Sequence, residues 1–69
     1  MFKVGDIIEW VGGYNLVPKK HVGLLMTHHS ENFWEIKPLT PDFIKLADEH
    51  YGTESINLEI IKKEWRLLC

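Results

Sequence analysis

Cysteine is nearly absent from this chain. The single thiol, Cys69, rules out an intrachain disulfide, and no zinc ligand set can be built from thiols. This favours a reduced, intracellular protein with a free thiol at its end over a disulfide-stapled one. Long apolar runs are also missing. None approaches the about 20 residues that span a bilayer. Gly5, Asp6 and Glu9 interrupt "MFKVGDIIEW" where a signal peptide needs an unbroken apolar core. A cytoplasmic protein with no membrane partner is expected. Positive charge is not in excess, because eight basic against ten acidic side chains leave a net −2. That argues against a general phosphate-backbone binder, although a local basic patch remains compatible with it. Internal repeats and low-complexity segments are lacking too.

What is present is a short chain of globular composition. Its 69 residues are 45% hydrophobic and 26% charged, which fits one folded domain over 1–69 rather than a disordered segment. A chain of this size buries only about 60% of the surface its unfolded form exposes, so its core is thin. "KVGD" turns the chain into a first strand over 6–11, with Gly5 as the residue able to take a positive φ. Ile8 and Trp10 share one face of that strand. "GGYNLVPKK" over 12–20 is a loop. "VGLLMT" over 22–27 is the second strand, and Gly23 within it signals a bulge or a sharp bend. "HHSEN" over 28–32 reads as a polar hairpin loop, and "FWEIK" over 33–37 as the third strand. Trp34 and Ile36 share one face of that strand, opposite Phe33, Glu35 and Lys37.

A helix is predicted over 41–50. Thr40 stands at the N-cap, Pro41 at the first helical position, and Gly52 just past the end. Phe43, Ala47 and Tyr51 form its apolar stripe. The tail carries two periodicities. Ile56, Leu58 and Ile60 alternate like a strand, while Ile61, Trp65 and Leu68 are spaced like a helix face. The preferred reading is a strand over 54–57, a helical turn over 58–62 and a last strand over 65–68. A continuous C-terminal helix is the alternative.

With these elements the chain resembles an SH3-like small barrel of about five antiparallel strands, mainly β with one inserted helix. It is similar to very small proteins of bacteriophages, cyanophages among them. Val4, Gly5 and Asp6 match an opening V-G-D strand. Gly23, Leu24 and Leu25 match a glycine-hydrophobic strand. Phe33, Trp34 and Ile36 match an aromatic-rich strand, and Lys63, Glu64 and Trp65 match a closing turn and strand. The helix departs from that pattern, in which a short turn joins the strands. The resemblance implies a fold and a phage-type origin, and it brings no catalytic residues. Curling a short sheet on itself also limits its exposed edges. The expected core is Val4, Ile8, Val22, Leu24, Met26, Trp34, Ile36, Ile56 and Leu67, with Phe43 and Ala47 seating the helix.

The densest chemistry is His28, His29 and Glu31. A structural zinc site wants four ligands, and neighbours in an extended chain point to opposite sides. These side chains are therefore read as exposed loop residues, with no metal and no cofactor. No nucleophile, base and orienting group come together, so an enzyme is not expected. The aromatics offer more. Tyr14 lies beside Lys19 and Lys20 in the long loop, Phe33 lies opposite Trp34, and Trp65 sits among charges. Aromatics left at a surface anchor partners, whereas the plainer role for Phe33 and Trp65 is packing. The preferred function is a non-enzymatic protein-interaction module. It would bind a host or virion protein, or its own copies, through Tyr14, Lys19, Lys20, Phe33 and Trp65. The alternative is a single-stranded RNA or DNA binder that stacks bases on aromatics beside the two lysines.

Overall fold

A four-residue turn starts the sheet. Asp6 N–H donates to Lys3 O at 3.0 Å, and Lys3 N–H donates to Asp6 Oδ2 at 2.9 Å. Gly5 occupies the third position with φ 94°, a conformation that L side chains rarely adopt. The turn aims the chain into β1 (Ile7–Trp10). The other elements are β2 (Val22–Ser30), β3 (Phe33–Pro38), α1 (Pro41–Tyr51), β4 (Ile56–Glu59) and β5 (Trp65–Leu67). The computed structural model describes residues 2–12 and 21–68, so Tyr14, Lys19 and Lys20 lie outside the described residues. Among the described residues, no helix is long and apolar enough to cross a membrane.

The strands form one open antiparallel sheet in the order β4-β3-β2-β1-β5. β5 returns to pair with β1, placing Trp65 opposite Trp10 and Leu67 opposite Ile8. The tail is therefore two strands and not a continuous helix. β4 begins two residues later than its predicted start, because Ile56 to Glu59 lie against β3 in unbroken register.

The inner face of β2 corrects the expected core. Leu25 is fully buried and Gly23 is buried, while Leu24 is half-buried and Met26 is exposed. A glycine at an inward position carries no side chain to mark the face, so the apolar alternation reads one residue out of phase. Gly23 pairs regularly with Ile8 and Pro38 and is not itself a bulge. The register slips instead between Leu25 and Thr27 and between His28 and Ser30. A Cβ at Gly23 would stand 2.5 Å from Ile36 Cδ1 and 3.1 Å from Phe43 Cε2. Only glycine lets these two side chains close on the strand.

The hairpin is also tighter than expected. β2 runs to Ser30, leaving Glu31 and Asn32 as the turn, so both histidines stand on a strand rather than in a loop. No non-glycine residue described has positive φ, so this turn lacks the backbone twist that two-residue hairpins favour. The slip beside His29 takes up the mismatch.

The helix matches its predicted start and ends one residue later, at Tyr51. Gly52 closes it in the left-handed conformation, with its N–H shared between Ala47 O and Asp48 O. Thr40 occupies the N-cap position, but its hydroxyl accepts from Val22 N–H at 3.2 Å and makes no cap bond. Phe43 and Ala47 enter the core, and Tyr51 does not. The core joins Ile8, Leu25, Trp34, Ile36, Ile56, Ile60 and Trp65 to these two helix residues. Val4 and Leu67 are exposed, Val4 in the opening turn and Leu67 on an outermost strand.

Trp65 is a further correction. It is 7% exposed and its ring lies 6.0 Å from that of Phe43, so its indole is core and not a contact surface. Phe33 is 42% exposed. Trp65→Ala should therefore cost about 3–5 kcal/mol, and Phe33→Ala less than about 1 kcal/mol. Urea unfolding followed by far-ultraviolet circular dichroism measures both.

Candidate functional site

The hairpin turn separates two depressions. On the core-facing side a cavity of 110 Å³ opens between the turn, the N-terminal segment and the link from β4 to β5. Trp34 forms its floor because position 34 alternates inward with Ile36. His28, facing Trp34 across the ladder, stacks on the indole with ring centroids 4.1 Å apart and 16° between planes. Phe2 and Ile60 add apolar walls, and Glu31 and Lys62 bring opposite charges to the lining. Ile60 is held by its N–H, which donates to Asn32 O at 2.6 Å. The volume is well below the about 300–1,000 Å³ of small-molecule sites. It suits one apolar side chain.

The second depression, of 250 Å³, lies on the other side of the same turn. Phe33, Ser30 and Glu59 line it together with the turn residues Glu31 and Asn32. The exposed Phe33 ring, 6.1 Å from that of His29, gives it an apolar edge. One turn thus carries an apolar socket on one flank and an exposed aromatic on the other.

The two histidines point to different faces, as adjacent strand residues do. His28 Nε2 lies 2.8 Å from Glu31 O. A carbonyl oxygen only accepts, so Nε2 is the donor of this bond. His29 Nε2 donates to Asn57 Oδ1 at 3.1 Å on the outer face. Among the described residues no three of the His, Cys, Asp and Glu side chains gather as a metal ion requires.

A polar network lies beside His29. Thr27 Oγ1 donates to Glu35 Oε1 at 3.0 Å, and Ser55 Oγ donates to Glu35 Oε2 at 2.7 Å. The Ser55 bond first, then the Thr27 bond, hold the Glu35 carboxyl below its usual range, with a smaller contribution from the nearby His29. Glu35 is thus an anion tied by both oxygens, which suits a cross-strand clasp better than a proton-transfer group.

The site differs from the expected one in membership. Phe33 is at the surface, Trp65 is in the core, and Tyr14, Lys19 and Lys20 lie outside the described residues. Phe2, His28, Ile60 and Lys62 were not anticipated. A two-residue turn at Glu31 and Asn32 would by itself have paired His29 with Trp34; the register slip between His28 and Ser30, which no local sequence signal marks, puts His28 there instead. Comparison of the chain with protein-family models, curated proteins and solved structures finds no match.

The Glu35 clasp has a pH signature. A carboxyl whose folded pKa is depressed stabilises the fold above its unfolded value, about 4.3 for glutamate. That contribution fades as pH falls through the folded pKa. Glu35→Gln should be less stable than the wild type at pH 6, and the gap should narrow steadily below about pH 4. Urea midpoints measured at several pH values check this.

Proposed function

We propose that the chain is a small SH3-like barrel of the bacteriophage type that works as a non-enzymatic protein-interaction module in the host-cell cytoplasm. The five-strand meander whose last strand returns to β1 supports the barrel reading. So does the single core that draws Ile56 and Ile60 from one side of the sheet and Trp65 from the other. The observation that carries the function is the side-chain-sized cavity lined by Phe2, His28, Trp34 and Ile60, with exposed Phe33 across the turn. An apolar side chain of the partner would enter the cavity, and Phe33 would pack against the partner's adjoining surface. Glu31 and Lys62 supply opposite charges that fix the orientation of a polar or charged neighbour. Tyr14, Lys19 and Lys20 are further partner-binding residues in this reading.

The test compares a tagged wild-type chain with a Phe33→Ala, Lys62→Glu variant in pull-downs from host lysate, with and without nuclease. One stoichiometric protein should survive nuclease with the wild type and be lost with a variant of unchanged circular dichroism. Captured proteins that vanish on nuclease treatment, with binding that falls steeply with salt and depends on Lys19 and Lys20, would replace this reading with single-stranded nucleic-acid binding.

A further inference from the structure

β4 is the outermost strand on its side of the sheet. Its register with β3 runs from Glu59 opposite Phe33 to Ile56 opposite Ile36 without a slip. The Ile60 N–H bond to Asn32 O sets the phase of that ladder. Bonded and unbonded pairs alternate in an antiparallel ladder, so Leu58 and Ile56 bond inward to β3. Asn57 and Glu59 direct their N–H and C=O groups away from the sheet. Both residues are exposed. Outer strands usually carry a device against further pairing, such as a proline, a lysine or a bulge. The sequence of β4, "INLE", has no proline, lysine or bulge, and Glu59 is its one charge. Both register slips of the β2–β3 ladder lie inside the sheet instead.

We infer that β4 pairs antiparallel with β4 of a second copy, about a two-fold axis at Leu58. Asn57 then stands opposite the partner's Glu59, and Glu59 opposite the partner's Asn57. Each such pair exchanges both main-chain hydrogen bonds through the groups that point outward. Side chains match as well. Leu58, half-buried and facing the same side as Trp34, meets the partner's Leu58. The Asn57 amide oxygen already accepts from His29, and its NH₂ is placed to donate to the carboxylate of the partner's Glu59. The like charges of the two glutamates are not opposed.

The other edge pairings are poorer. On β5, Leu68 N–H bonds Ile7 O and Val11 N–H bonds Glu64 O, so Trp65 and Leu67 point their main-chain groups outward. Two β5 strands would centre on Arg66 and set like charges face to face. Arg66 is also engaged with Glu9 at 2.8 Å. A β4 strand placed antiparallel on a β5 strand would align outward-facing Asn57 and Glu59 with Trp65 and Leu67, whose side chains face the core side. Only the β4 pair satisfies bonding, facing and charge together.

The dimer rests on this edge alone and not on the cavity reading, which would stand if the chain proved monomeric. The test is sedimentation equilibrium together with amide hydrogen exchange by NMR, from about 10 µM to about 1 mM chain. The mean mass should rise from 8.1 kDa towards twice that value. The Asn57 and Glu59 amides should slow by about tenfold or more over the series, while those of Trp65 and Leu67 stay fast. Glu59→Pro removes an outward N–H without costing an inward bond, and should remain monomeric with unchanged circular dichroism. Leu67→Pro should still dimerise. A wild type monomeric at the highest concentration would overturn the inference. So would a dimer whose Asn57 and Glu59 amides stay unprotected.

Discussion

The close approach of Ile36 and Phe43 to the backbone of Gly23 is the contact on which the rest of the fold depends. Any Cβ at this position would collide with the Ile36 side chain, which is fully buried and has nowhere to retreat. Because the site is empty of side chain, Phe43 can lie over the sheet and α1 can cover one end of its core-facing side. Trp65 then packs against Phe43 from the far side of the sheet. The opposite end is closed by Ile60 and Phe2, which leaves the small cavity over Trp34. The site is thus what remains when a thin core is sealed from two ends.

The parts of this fold legible in the sequence are those with a local cause. The opening turn announces itself through Gly5 and Asp6. The helix does so through Thr40, Pro41 and Gly52, although Thr40 contributes its position and spends its hydroxyl on Val22. The face of β3 is plain, because Trp34 and Ile36 alternate with charged neighbours. The face of β2 is not, because the inward register passes through a glycine and is then shifted by an extra residue at Met26. The tail is ambiguous because Ile56, Leu58 and Ile60 alternate like a strand while Ile61, Trp65 and Leu68 are spaced like a helix face. Pairing with β3 and β1, which no local window contains, decides it.

The candidate site was less legible for the same reason. Its floor, Trp34, is legible as a core residue, but its lining comes from the N-terminal segment, both arms of the hairpin and the link before β5. Residues so far apart in sequence carry no common pattern. His28 illustrates this. Read along the chain it is half of a polar "HH" pair, while in the sheet it is the cap on an indole ring. Trp65 errs in the other direction. Its charged neighbours Glu64 and Arg66 suggest a surface, yet on a strand they face away from it, and the indole turns inward.

β2 presents Gly23 and Leu25 to the core, and the helix sits on the bare backbone of Gly23. The most direct test is a nuclear Overhauser spectrum of the folded chain, read at the Gly23 α-protons. Strong cross-peaks to the Phe43 ring, with ring-current shifts of those α-protons, are the expected result. Their absence, with the Phe43 ring instead contacting Leu24 or Met26, would mean that β2 runs in the opposite phase and that α1 does not rest on Gly23.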